Sequence, residues 1–304
     1  MSLGRRLTVL AAAGGATVVA RRRAEQAARA ALDQSGRTAV VTGGGSGIGR
    51  ALALLLAERG ATVHAVDVQG PAVELVVTTI RDAGGTAHAH TVDVADPDAV
   101  AALADRVFAL GPVDLLFNNA GVGHAGAVVD TPLADWQRVI EVNLLGVVHG
   151  VHAFLPRLVA QQRPAHIVNT ASLAGLMPVP GLVPYSTTKA ALVGMSDALD
   201  AELAGTGVRV SALCPGIIDT AIVATSTMRG PWAEKQDATA ERYAQRGTAP
   251  QVVARDALEG IARGLPMIAS PRSQVLPAWA IKRASPTLSR AVARWTTRAL
   301  GGQP

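Results

Sequence analysis

Apolar positions in this chain fall into short β-branched runs, separated by longer stretches in which apolar residues recur every three to four positions. Residues 38–41 have the first character and predict a strand; residues 48–59 have the second and predict a helix closed by Gly60. The alternation then repeats. Residues 61–66, 86–92, 113–117, 165–171 and 208–213 read as strands, and helices are predicted from Pro71, over 97–110, within 132–160 and over 184–203. Pro71 suits a first helical turn, where its missing N–H costs nothing. Strands apolar almost throughout, alternating with helices, specify a parallel sheet covered on both faces. The predicted fold class is therefore α/β, a doubly wound parallel sheet. No linker-like composition interrupts 36–270 and no internal repeat is visible, so one domain over 36–275 is expected, between basic extensions at 1–35 and 276–304.

Composition narrows the function classes. A hydrophobic content of 49% supports a large core, and aromatics at 3% argue against a base-stacking surface for single-stranded nucleic acid. The single cysteine, Cys214, excludes an intrachain disulfide and fits a reducing compartment, so a cytoplasmic location is expected. The net charge of +5 is unevenly spread: residues 1–35 carry +4 and 276–304 carry +5, which leaves 36–275 at −4. A basic nucleic-acid face on the core is excluded on that distribution. The first extension sets Arg5-Arg6 and Arg21-Arg22-Arg23 around an uncharged stretch, 7–20, too short to span a hydrocarbon core of about 30 Å. Three readings stay open for it: a shallow membrane anchor, a disordered or packing extension, and a cleaved export signal.

Candidate chemistry begins between the first strand and helix, at Thr42-Gly43-Gly44-Gly45-Ser46-Gly47-Ile48-Gly49. Glycines permit positive φ and close backbone approach, and the following helix N-terminus offers free N–H groups and the positive end of its dipole. Together they make a pyrophosphate seat. Asp67, ending the second strand, can accept both ribose hydroxyls of an adenosine and repels a 2′-phosphate, which favours NAD over NADP. A capping or solvated loop acid is the alternative reading of Asp67. Further on, Tyr185 and Lys189 stand one helical turn apart on one face. A phenol of pKa about 10 is a poor base at neutral pH, and a neighbouring ammonium favours its phenolate, so the pair is suited to proton transfer.

These motifs, with others in register, resemble the short-chain dehydrogenase/reductase family over about residues 36–265. The glycine loop is similar to its cofactor signature, and Asp93-Val94 to the turn whose Asp meets the adenine. Asn118-Asn119-Ala120-Gly121 closes a strand in the family's most recognisable form, and Pro215-Gly216 with Ile218 and Thr220 resembles the turn at the nicotinamide end. The resemblance implies a Rossmann-like fold and a catalytic set of Asn143, Ser172, Tyr185 and Lys189. Tyr185 would exchange the proton with the substrate oxygen and Lys189 would lower its pKa and hold the nicotinamide ribose. Ser172 would hydrogen-bond the substrate oxygen and Asn143 would hold a water of the relay. It also implies cofactor contacts at Gly43, Ser46, Gly47, Ile48, Gly49, Asp67, Asp93, Val94, Asn119, Ala120, Gly121, Tyr185, Lys189, Pro215, Gly216, Ile218 and Thr220, and a homo-oligomer, dimer or tetramer. Structural alternatives stay open for Ser172 as a strand-end cap, Asn143 as a polar kink and Asn118-Asn119 as a brace. A cofactor-binding scaffold or sensor without turnover is the competing function.

No metal site is expected, since His149 with His152 and His88 with His90 lack a completing ligand. By the same resemblance, Gly123, His124, Leu176, Met177, Val179, Pro180, Leu182, Ile222, Val223, Met228 and Trp232 would line the substrate pocket, with His124 alternatively a solvent-facing loop residue. Their apolar character suggests a hydrophobic secondary alcohol or ketone. No clear seventh strand is visible after residue 213; instead, Leu288, Ala291, Val292, Trp295 and Ala299 share one helical face beside Arg290, Arg294 and Arg298, a pattern suited to an anionic membrane surface or to packing on the domain or a partner subunit.

Overall fold

The computed structural model describes residues 33–299; the stretch 7–20 and its flanking arginines lie outside the described residues. The first half of the chain runs β1 (Thr38–Thr42), α1 (Gly47–Glu58), β2 (Thr62–Asp67), α2 (Gly70–Asp82), β3 (Thr86–Thr91), α3 (Pro97–Leu110) and β4 (Leu115–Asn118). A two-residue strand, β5 (His124–Ala125), precedes α4 (Leu133–Ile140) and α5 (Gly146–Ala160), which are joined by a π-helical turn, Glu141–Leu145. There follow β6 (Ala165–Thr170), α6 (Leu173–Leu176), α7 (Val183–Glu202), β7 (Val208–Pro215) and another two-residue strand, β8 (Thr227–Met228). The chain continues through α8 (Gln236–Arg246), α9 (Pro250–Ala262), β9 (Met267–Ser270), α10 (Arg272–Ala284) and α11 (Pro286–Ala299).

Seven strands form one parallel sheet in the order β3-β2-β1-β4-β6-β7-β9. Successive strand residues face opposite sides, so each strand feeds two cores. On one side, Val41, Val63 and Phe117 pack with Leu52 and Leu56 of α1, Val76 and Ile80 of α2, and Val253 and Leu258 of α9. On the other, Val40, Val66, Leu116 and Ile167 pack with Leu103 and Val107 of α3 and Phe154 and Leu158 of α5. Fully burying a side chain of this size contributes about 1.5–3 kcal/mol. The strand order reverses between β1 and β4, and in such sheets the crevice beyond the strand ends at that reversal is where ligands bind. By length and composition alone, Leu133–Ala160 could cross a membrane, but Val139, Val142, Val147, Val151, Phe154 and Leu158 spend its apolar face on the core.

One part of the sequence expectation needs correction. A seventh strand does exist: β9 pairs with β7 from Ala212↔Met267 to Pro215↔Ser270. Only four residues long, it takes its strand character from the free edge of β7. Of the two readings left open for the apolar stripe on the last helix, packing on the domain is not met: α11 is anchored through Ser289 and Ala293, while Leu288 and Trp295 stay 52% and 69% exposed.

A buried polar chain fixes α7 to the sheet. Asn118 Nδ2 donates to Asn169 Oδ1 at 2.9 Å, Asn169 Nδ2 to Ser196 Oγ at 3.1 Å, and Ser196 Oγ to Leu192 O at 2.7 Å. Elsewhere, on β2 and β3, His64 stacks on His88 and His90 with ring centroids 4.8 and 5.3 Å apart, and His64 Nδ1 lies 3.0 Å from His90 Nε2.

Candidate active site

The glycine loop adopts the conformation its composition demands. Gly43 and Gly47 have φ of 65° and 51°, where a Cβ is strained. A Cβ on Gly49 would lie 2.0 Å from the Gly43 carbonyl oxygen, so only glycine lets the loop fold against its own helix. Ser46 stands at the head of α1 with no side-chain capping bond, and no acid occupies the first turn. The first N–H groups of α1 and the Ser46 hydroxyl are thus left for an anion. Asp67 is clasped to this loop: its Oδ2 accepts from Gly45 N–H and its Oδ1 from Gln69 N–H, each at 3.0 Å. A carboxylate oxygen has lone pairs left after one such bond, so both remain able to accept from a ribose. The residues present therefore fit a dinucleotide.

Asn119 faces inward. Its Nδ2 donates to Thr42 O at 3.0 Å, its Oδ1 accepts from Thr170 Oγ1 at 3.3 Å, and the N–H groups of Asn119 and Ala120 both donate to Thr42 Oγ1. This bracing brings Ala120 against Gly43, where an added Cβ would be 2.9 Å from Ala120 Cα. Asp93 Oδ1 accepts from Ala95 N–H, and His149 Nδ1 donates to Val94 O at 2.9 Å, which docks the Asp93-Val94 turn on α5. On the far side, Gly216 N–H donates to Ser270 O and Ile218 is buried. Thr220 Cγ2 would lie 3.1 Å from a Cβ on Gly47, so the Pro215–Thr220 turn reaches across to the glycine loop.

Of the four catalytic candidates, Asn143 and Lys189 meet beside Gly121, where an added Cβ would be 3.1 Å from Asn143 Oδ1 and 3.5 Å from Lys189 Nζ. Asn143, fully buried in the π-helical turn, accepts from Val122 N–H at 2.7 Å and donates to Val122 O at 2.8 Å. Its carboxamide is thus occupied in holding Val122. Lys189 is 3% exposed; its Nζ donates to Thr170 O at 2.7 Å and sits 5.6 Å from the centre of the Tyr185 ring. Ser172 caps α6 by accepting from Ala174 N–H at 3.1 Å and is also hydrogen-bonded to Tyr185. Burial pushes Tyr185 up to about 12, against the pull of the Ser172 bond, and pushes Lys189 down to about 8. Desolvation, and not the lowering expected from Lys189, thus sets the direction at Tyr185.

His124, for which the sequence left a pocket-lining and a solvent-facing reading open, is 2% exposed. It lies on β5, which pairs with β8, and its Nε2 is 3.3 Å from Asp135 Oδ2. Arg229 grips the same carboxylate with Nε at 2.7 Å and Nη2 at 2.9 Å. That grip holds Asp135 below the usual carboxylate range. The clasp ties the segment after β7 to α4, and Val122, His124, Asp135, Arg138, Thr225 and Thr227 line a cavity of about 240 Å³ beside it. The expected substrate lining is not gathered in one place. Gly123 and His124 join this cavity and Trp232 lies over Gly181, whereas Met177, Val179 and Pro180 line a second cavity elsewhere.

A crevice at the strand reversal, with a phenol, an ammonium and a hydroxyl at its end, has groups suited to nicotinamide-dependent oxidation and reduction. The family model described as short chain dehydrogenase matches residues 37–229, and the chain belongs to that family. It is 40% identical over 262 residues to a probable oxidoreductase, EphD, of Mycobacterium tuberculosis H37Rv; that match covers 84% of this chain but 44% of EphD, so the chain spans less than half the length of that relative. It is 43% identical over 190 residues to the 1-deoxy-11-beta-hydroxypentalenate dehydrogenase of Streptomyces exfoliatus, covering 62% of this chain and 69% of that one. Among solved structures, a short chain dehydrogenase/reductase from Burkholderia phymatum in complex with NAD superposes with a TM-score of 0.77 at 35% identity, covering 84% of this chain and 96% of that one.

Proposed function

We propose that this chain interconverts a hydrophobic secondary alcohol and its ketone, with NAD preferred over NADP, and that Tyr185 gives and takes the proton. The observation that carries the reading is the grouping of Ser172 with Tyr185 and of Tyr185 with buried Lys189, which itself lies beside Gly121, in a crevice whose glycine loop is clasped by Asp67. When bound, the nicotinamide would supply the hydride acceptor for the alcohol or the hydride donor for the ketone. The chain handles the proton. Ser172 Oγ orients the substrate oxygen, and Tyr185 takes the hydroxyl proton as the carbonyl forms. Lys189 brings a positive charge to a site that otherwise opposes the phenolate. Asn143 acts by holding Val122 and the loop that follows it. Gly43, Ser46, Gly47, Ile48 and Gly49 would seat the pyrophosphate, Asp67 the adenosine ribose, Asp93 and Val94 the adenine, and Asn119 to Gly121 the middle of the cofactor. Pro215, Gly216, Ile218 and Thr220 would flank the nicotinamide. A relative that is a hydroxypentalenate dehydrogenase supports a hydroxyl on an apolar skeleton as the substrate.

The reading extends to assembly and location. Residues 36–275 form the catalytic unit, in the cytoplasm. Exposed Leu133, Leu145 and Val148 support a homo-oligomer, dimer or tetramer, and the outward Leu288, Val292 and Trp295 beside Arg290 and Arg294 support contact with an anionic membrane surface. The test is NADH formation by the purified chain and by Tyr185→Phe, on secondary alcohols graded from short chains to sterols. Expected is turnover that rises with apolar size and falls by about 10²-fold or more in the variant. Tight NADH binding with no turnover on any alcohol would favour a scaffold or sensor.

A further inference from the structure

The second cavity lies behind the catalytic helix. Val183, Ser186, Thr187 and Ala190 line it, and at 3.6 residues per turn their mean direction is roughly 130° around α7 from that of Tyr185 and Lys189. Its opposite wall is the helical hairpin of α10 and α11, which contributes Lys282, Pro286, Ser289 and Arg290. Met177, Pro178, Val179 and Pro180 complete an apolar floor. The volume, about 500 Å³, lies in the range of small-molecule sites, about 300–1,000 Å³.

Three observations say what would fill it. The walls are apolar apart from the hydroxyl residues Ser186, Thr187 and Ser289 and two cations, Lys282 and Arg290. No acid occurs between residues 272 and 304, and neither cation makes an ion pair among the described residues. Arg283, beside Lys282, spends its charge on the Trp279 ring at 5.1 Å. The Ser186 hydroxyl is buried against the cavity and has no hydrogen-bond partner among the described residues, a cost that a ligand oxygen would relieve. We infer that this cavity is a second binding site, distinct from the catalytic crevice, for an amphipathic anion: an alkyl chain against Met177, Val179 and Pro180, with a carboxylate between Lys282 and Arg290.

Decanoate, with decanamide as its uncharged counterpart, tests this by calorimetry on the full chain saturated with NADH. Expected is saturable binding of one decanoate per chain, at least tenfold tighter than decanamide. The double variant Lys282→Gln/Arg290→Gln, altered only at the cavity rim, should weaken decanoate at least tenfold and leave NADH affinity unchanged. Ala190→Phe, which fills the cavity from the rear of α7, should abolish decanoate binding. Absence of saturable binding, equal affinity for decanamide, or undiminished binding in the double variant would overturn the inference. So would an oligomer of the wild type that Ala190→Phe dissociates without any decanoate effect, since the cavity would then seat a second copy of the chain.

Discussion

At the scale of single residues, the site is a set of buried polar groups whose first duty is to hold one another. Asn119 fastens β4 to β1 and β6, Asn143 fastens Val122, and Asp67 fastens the glycine loop. Asp67 carries the sharpest prediction. Its carboxylate repels a 2′-phosphate, and Asp67→Ala should raise the NADP-to-NAD ratio of kcat/KM about tenfold or more, a change of about 1.4 kcal/mol. Steady-state kinetics with both cofactors checks this, and an unchanged ratio would remove Asp67 from cofactor selection. Sequence made these residues visible because each motif is local: a glycine loop, a doublet of asparagines, a Tyr and Lys one turn apart. His124 was not legible. Its burial depends on Asp135 and on Arg229, 94 residues further on, and no local pattern joins them.

At the scale of elements, the β-α repeats could be read because period-2 and period-3.6 patterns are written in neighbouring residues. The four-residue β9 and the two-residue β5 and β8 could not, because their pairing is bestowed by partners distant in sequence. The β2–β3 pair supplies a prediction of its own. Burial and the neighbouring histidines hold His64 down at about 3 and burial, with Arg106, holds His90 at about 4, against an ordinary 6.5. Below pH 6.5 the unfolded chain therefore binds protons that the folded chain refuses. Stability from this stack is whole above pH 6.5 and drains away as the pH falls toward 4 and then 3, by up to about 1.4 kcal/mol per pH unit for each histidine. Urea unfolding followed from pH 7 to pH 4 should show that slope, and His64→Phe, which keeps a stacked ring without the titration, should flatten it. Equal slopes would assign the acid sensitivity to other groups.

At the scale of the whole molecule, the two proposed ligand regions fall on two sides of a single helix. The inner face of α7 presents Tyr185 and Lys189 to the crevice, and its outer face meets the hairpin of α10 and α11. The amphipathic pattern of α11 was plain in the sequence, but which face it would bury was not, since Ser289 and Ala293 are small rather than strongly apolar and the helix docks by close approach. The stripe left outside predicts that removing residues 276–304 reduces co-sedimentation with anionic vesicles several-fold, and that salt has the same effect on the intact chain. Equal pelleting of the truncated protein would leave the hairpin a packing element only.

Lys189 has a further consequence, in the traffic of protons with solvent. Its ammonium has three donors, and among the described residues Thr170 O is the acceptor it meets. Burial leaves it half-titrated near pH 8. Arrival of ribose oxygens would favour the charged form, so NADH binding near that pH should draw part of a proton from the buffer. The observed binding enthalpy would then vary with the ionisation enthalpy of the buffer at pH 8, lose that dependence at pH 6, and lose it at both in Lys189→Met. Cofactor affinity would also weaken as the medium turns alkaline, which makes the resting chain's hold on its dinucleotide a function of ambient pH before any substrate arrives.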